Sequence, residues 1–220
     1  MPKWYDDVAA ALSDHGLVAR GAFHPGPEDE APARTGTVLL AGNAGSGMWR
    51  AFAAAMPAGD HPLDTWCRAV LEDIARRFGA TALLPSDGPP YLPFQRWATR
   101  AADVYRSPLG ILIDPLYGLW HGYRGALAFP GRLALPPQEA RTNPCEACSG
   151  RPCLSACPVA AFGEAGYDVP ACAAHLRTQE GTDCMSLGCR ARRACPVGRD
   201  AAYEAPQAAF HMRAFLAARG

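Results

Sequence analysis

Cys145-Glu146-Ala147-Cys148-Ser149-Gly150-Arg151-Pro152-Cys153-Leu154-Ser155-Ala156-Cys157-Pro158 sets four thiols at gaps of two, four and three residues and ends them on Cys-Pro. A cubane 4Fe-4S cluster needs thiolates converging from a loop that wraps it closely, and in two-cluster proteins the last cysteine of such a run serves the neighbouring cluster. The tight form of the run has gaps of two, two and three. Here the middle gap is two residues longer, and Arg151 stands where the third cysteine would otherwise fall. Pro158 then ends the loop and suits the first turn of a helix.

Downstream lie Cys172, Cys184, Cys189 and Cys195, the last followed by Pro196, with looser gaps of eleven, four and five residues. Cys157-Pro158-Val159 and Cys195-Pro196-Val197 are the repeated signal in the chain. If each set gives three ligands to its own cluster and one to the other, eight cysteines are required. Cys145, Cys148, Cys153 and Cys195 then belong to one cluster, and Cys157, Cys172, Cys184 and Cys189 to the other. Three readings stand at this point: two clusters, one cluster with spare thiols, or structural zinc, which also takes four cysteines. The paired Cys-Pro endings and the total of eight favour two clusters.

Working outward, eight of the nine cysteines lie between Cys145 and Cys195, so a boundary is expected near Pro136 and Pro137. The expected parts are an N-terminal domain over 1–137 and a small iron-sulfur domain with a C-terminal helix over 138–220. The chain has 220 residues, 49% of them hydrophobic, and no run approaches the roughly 18 to 20 apolar residues of a membrane span. Met1 to Ala10 carries Asp6 and Asp7 and no apolar stretch, which argues against an export signal. Clustered cysteines without such a signal point to metal binding in a reducing, cytoplasmic compartment. With 21 basic and 21 acidic residues the charge sums to zero, giving no electrostatic reason to expect nucleic acid or an acidic membrane as partner.

In the N-terminal part, the spacing of apolar residues predicts helices over 4–12, 48–56, 63–78 and 94–105, and strands over 17–23, 37–41, 81–84 and 123–129. The alternation suggests an α/β domain, and the whole chain an α+β protein. Cys67 falls on the apolar stripe of the 63–78 helix and reads as a buried core thiol. Gly42-Asn43-Ala44-Gly45-Ser46-Gly47 reads as a flexible turn between strand and helix, with an anion contact through its backbone amides as the rival. Tyr91, Phe94, Tyr117, Trp120, His121 and Arg124 supply aromatic faces with a few polar tips, a set suited either to a planar or macrocyclic cofactor or to an aromatic core. His121 is read first as a hydrogen-bonded histidine, with axial ligation as the rival.

The run from Cys145 to Pro158, the isolated Cys172 and the group ending at Cys195-Pro196 resemble the ferredoxin-type segment of epoxyqueuosine reductases and reductive dehalogenases. In those families the segment follows a cobalamin-binding domain of nitroreductase-like α/β fold. Asp114-Pro115-Leu116-Tyr117-Gly118-Leu119-Trp120-His121-Gly122-Tyr123-Arg124-Gly125 is similar to the His-Pro-x-x-Gly-x-Trp-x-x-x-Arg-Gly type segment of the cobalamin-processing decyanase/dealkylase family, with Asp114 in place of the histidine. The resemblance implies a nitroreductase-like N-terminal domain, a ferredoxin-like C-terminal domain and a corrinoid as electron acceptor. The helical-repeat domain that epoxyqueuosine reductases use with tRNA has no counterpart in the sequence, so the tRNA reaction is not expected. The resulting expectation is an iron-sulfur redox protein that delivers electrons to cobalamin or a small molecule. A non-catalytic ferredoxin-like carrier serving a partner enzyme, itself an electron donor or acceptor, is the alternative.

Overall fold

The computed structural model describes residues 1–138 and 140–219. Along the chain run α1 (Lys3–Ser13), β1 (Val18–Phe23), β2 (Thr37–Ala44), α2 (Gly47–Ala54), α3 (Pro62–Phe78), β3 (Thr81–Leu83), α4 (Phe94–Ala101), β4 (Tyr105–Arg106), β5 (Leu112–Ile113), β6 (His121–Phe129), α5 (Pro152–Ser155), β7 (Phe162–Gly163), β8 (Gly166–Tyr167), α6 (Val169–Leu176), α7 (Thr182–Leu187), α8 (Arg190–Arg193) and α9 (Ala205–Ala217). The mixture of helix and sheet is α+β. The chain divides into two compact units, one of Met1–Asp103 with His121–Ala140, the other of Val104–Trp120 with Arg141–Gly220. The stretch 104–120 therefore belongs with the cysteine-rich part, although about twenty residues of the first unit follow it in sequence.

The first unit is built on a four-stranded sheet of order β1-β2-β6-β3. Every pairing in it is antiparallel, with Leu39 opposite Leu127 and Leu83 opposite Ala126. The alternation of helices and strands is thus built on an antiparallel sheet. Strands β2 and β3 do run the same way, linked by α2 and α3, but β6 returns from later in the chain and fills the slot between them. Thr37 to Asn43 are all buried, as expected of a central strand covered on both faces. The core is made of Val8, Leu12, Leu39, Leu40, Phe52, Leu71, Trp97 and Leu127.

The helix expected over 94–105 stops at Ala101. The strand expected over 37–41 continues through Gly42 and Asn43 to Ala44, and Gly45-Ser46 then make the short turn into α2, so half of the glycine-rich stretch is strand. A Cβ on Gly42 would lie 2.0 Å from the carbonyl oxygen of Gly122 across the sheet. One on Gly16 would lie 2.4 Å from the Gly47 backbone. These glycines are spent on close approach of backbones.

The loop after β1 is tied down by the buried carboxylate of Asp29, which accepts from Gly26 N at 2.7 Å and pairs with Arg100 at 2.6 Å. Trp97 Nε1 donates to the Asp29 carbonyl at 2.7 Å, so the same residue fixes the loop to α4 twice. Cys67 is buried in α3, and burial raises its thiol pKa to about 11, with the charge of Arg124 pulling the other way. No described helix is long and apolar enough to cross a membrane.

Candidate metal centre

In the second unit the eight clustered cysteines stand on turns and short helices. Cys145 follows Asn143, whose Oδ1 accepts from Cys145 N at 3.1 Å and closes a local turn. Arg151, at the two-residue insertion, adopts a left-handed conformation with φ 37° and starts α5 with Pro152 in its first turn. That reversal carries Cys153 inward on α5, which explains how the long middle gap still returns a thiol to the site. Cys157 follows α5, and its Sγ accepts from Ala161 N at 3.3 Å. Cys172 lies on α6, whose N-cap Asp168 accepts from Ala171 N at 2.9 Å. Cys184 lies on α7, while Cys189 and Cys195 bracket α8.

These thiols surround two separate hollows. The first is lined by Cys145, Cys148, Cys153 and Cys195 among Pro108, Ile113 and Val197. The second is lined by Cys157, Cys172, Cys184 and Cys189 among Phe162, Leu176 and Met212. Helices α5 and α8 pack against each other. Each is followed by a Cys-Pro whose sulfur serves the hollow begun by the other half, so the crossing is a consequence of an approximate internal repeat.

The stretch 104–120 underlies the first hollow. Leu109, Ile113 and Leu119 form one apolar cluster with Cys153, Ala191 and Cys195. Ser107 Oγ donates to the Ile111 carbonyl at 2.7 Å, and Asp114 Oδ1 accepts from Leu116 N and Tyr117 N at 2.7 and 3.0 Å. Asp114, which stands where the resembling family has histidine, thus shapes a turn. A Cβ on Gly118 would lie 2.0 Å from the carbonyl oxygen of Val197, next to the second Cys-Pro. Sequence reasoning missed this support because its clue, short strands with a Gly110 turn, looks like ordinary loop.

Burial raises the pKa values of Cys145, Cys153, Cys172 and Cys189. For Cys145 the neighbouring sulfurs of Cys195, Cys153 and Cys148 add to it, and for Cys172 those of Cys157 and Cys184 do. Metal ligation needs thiolates, so positive charge entering each site would offset the burial of these sulfurs. Among the described residues, no three of the His, Cys, Asp and Glu side chains converge as a single ion requires. Four thiols lining one apolar hollow match the donor number of a 4Fe-4S cluster, whose iron atoms each take one of them. Beside the second hollow the Tyr167 hydroxyl is hydrogen-bonded to the Cys172 thiol. His175 lines the same hollow, and its Nε2 is buried with no hydrogen-bond partner.

The six aromatic and polar residues singled out from sequence are divided between the units. In the first, Tyr91 is exposed, whereas Phe94 is buried 5.0 Å from the ring of Trp97. His121 Nδ1 lies 3.2 Å from Arg20 Nη2, and Arg124 Nε donates to Asn43 Oδ1 at 2.9 Å. In the second, Tyr117 sits in the Asp114 turn and Trp120 is buried. The Arg192 guanidinium lies 4.7 Å over the Trp120 ring and 4.5 Å over that of Tyr203, while its Nε donates to the Leu119 carbonyl at 2.9 Å.

No protein-family model and no curated protein matches the chain. Among solved structures it is similar to epoxyqueuosine reductase from Streptococcus thermophilus, at 15% identity and a TM-score of 0.49, over 88% of this chain and 65% of that one. The chain thus spans just under two thirds of that structure. At this level the likeness carries no argument about activity, and the reading of the site rests on its own geometry.

Proposed function

We propose that the protein is an iron-sulfur redox protein holding two 4Fe-4S clusters, one on Cys145, Cys148, Cys153 and Cys195 and the other on Cys157, Cys172, Cys184 and Cys189. The observation that carries this is the sorting of eight thiols into two hollows of four, in the crossed pattern that Cys-Pro runs use. Bound there, the clusters would supply one-electron transfer at a potential set by their surroundings. The chain's own part is to aim the four sulfurs of each site inward, to cover them with apolar side chains, and to keep the sites close enough to share α5 and α8.

The electrons are destined, in this reading, for a corrinoid or another small molecule held by the N-terminal part, in keeping with the resemblance of the Asp114–Gly125 stretch and of the cysteine segment to corrinoid-using families. The packing of Phe94 into the core and of Trp120 under Arg192 favours the second reading, a carrier that hands electrons to a partner enzyme.

Anaerobic reconstitution tests the first claim. About eight iron atoms per chain, with a brown chromophore absorbing broadly near 400 nm, are expected from the ligand count. A colourless zinc protein would end it. Titration of the reconstituted protein with cobalamin separates the two acceptor readings: a change in the corrinoid spectrum at micromolar concentration supports the first, and no binding leaves the carrier.

A further inference from the structure

The two hollows differ in the hydrogen bonds donated to their sulfurs. At the first, the backbone N–H of Leu154 faces the Cys153 sulfur. At the second, Cys157 accepts from Ala161 N, and Cys189 from the N–H groups of Ala191 and Arg192. Two side chains add to the second alone. The Tyr167 hydroxyl is bonded to Cys172, and the buried Nε2 of His175 has no partner from the protein. Formal charge does not separate the sites, because each has one arginine in its lining, Arg151 or Arg190.

Both side chains are held in place. The Tyr167 ring stacks on Phe162 across the β7–β8 hairpin at 4.7 Å and 13°, and on Phe215 of α9 at 6.3 Å and 29°. His175 lies three residues after Cys172 on α6, a spacing that sets imidazole and thiol on one helix face. A cluster gains negative charge on reduction, so donors to its sulfurs stabilise the reduced state more than the oxidised one and raise its potential.

Building on the two-cluster reading, we infer that Tyr167 and His175 tune the second cluster, donating to its thiolate and sulfide shell and making it the higher-potential member of the pair. It is therefore the cluster reduced first.

The test is an anaerobic redox titration of the reconstituted full chain followed by electron paramagnetic resonance. Signals are assigned with Cys148→Ala and Cys184→Ala, each of which removes a ligand from one site. Tyr167→Phe, which keeps the stacked ring, and His175→Leu are each expected to weaken reduction of the second cluster about tenfold, or about 59 mV for a one-electron couple. The first cluster keeps its potential in both variants. His175→Gln, which retains an N–H donor, recovers most of the loss. The inference is overturned if both clusters assemble and the first is reduced before the second, or if these variants leave the second unmoved or shift both equally. A protein that takes up neither iron nor sulfide overturns the cluster reading itself, and the tuning role falls with it.

Discussion

Cys157 lines the same hollow as Cys189, and not the one lined by Cys153 four residues before it. The relationship follows from α5. Cys153 sits on that short helix and Cys157 just beyond its end, where the Sγ is fixed by the N–H of Ala161. One helical turn thus ties the two sites together, and any account that gives each run of cysteines its own site is incompatible with it.

Asp29 is the strongest single polar anchor in the first unit, since its buried carboxylate serves Gly26 N and Arg100. Asp29→Ala leaves the Gly26 amide without its acceptor and takes one acceptor from Arg100, which keeps Glu28 and the His24 carbonyl, and is expected to cost about 1–3 kcal/mol. Arg100 is about one-third exposed and can be rehydrated, which sets the lower end of the range. Urea unfolding of the reconstituted protein measures it.

Gly42→Ala pushes a methyl carbon to within 2.0 Å of the Gly122 carbonyl oxygen, a backbone atom of the paired strand that cannot yield as a side chain would. A loss of about 3 kcal/mol or more, or failure to fold, is expected. Gly79→Ala is the comparison. Gly79 has φ 66° but open space around its Cβ position, so only the left-handed conformation is penalised, by about 1–2 kcal/mol.

Arg192 clasps Trp120 and Tyr203 while donating to Leu119. Arg192→Lys keeps the charge but loses the planar fork that stacks and donates at once. The expected cost is about 1–2 kcal/mol, with a change in tryptophan emission as Trp120 is loosened. An unchanged spectrum and stability would show that the clasp does not hold in solution.

The Asp87 carboxyl has a pH signature. Burial works against its charge, but the hydrogen bond from Arg68 at 2.5 Å, the N–H of Leu84 at 2.8 Å and the charge of Arg68 together hold its pKa below the usual carboxylate range. A depressed folded-state pKa stabilises the fold above the unfolded value of about 3.9 and loses that contribution as pH falls through the folded one. Both partners are at least one-third exposed, so the pair is worth about 0.5–1 kcal/mol. Asp87→Asn should show that deficit at pH 7, shrinking as pH falls below about 3.9 and through the folded-state value.

The crossed grouping can be proposed from cysteine spacing because chemistry ties it to the local chain: Cys-Pro endings, short gaps and a ligand total are one-dimensional facts. Helix α3 was legible for a similar reason, its apolar stripe closing at Gly79. The antiparallel slot for β6 was not, since no local pattern in 121–129 says which strands it will lie between. Nor was the place of 104–120, whose Leu109 and Ile113 earn their role only against Cys153 and Cys195. Tyr167 and His175 escaped notice because a lone Tyr and a lone His carry no periodic signal. The Asp168 cap with Pro170 behind it could have marked α6, and the i, i+3 step from Cys172 would then have pointed to His175.

The central claim is the crossed pair of clusters, and Cys157→Ala in the anaerobically reconstituted full chain tests it most directly. Iron and sulfide should fall from about eight to about four per chain, and the surviving paramagnetic signal should be the one abolished by Cys148→Ala and retained in Cys184→Ala, on the ligand count for two cubanes. Loss of the signal that depends on Cys148, with the one that depends on Cys184 intact, would contradict the account.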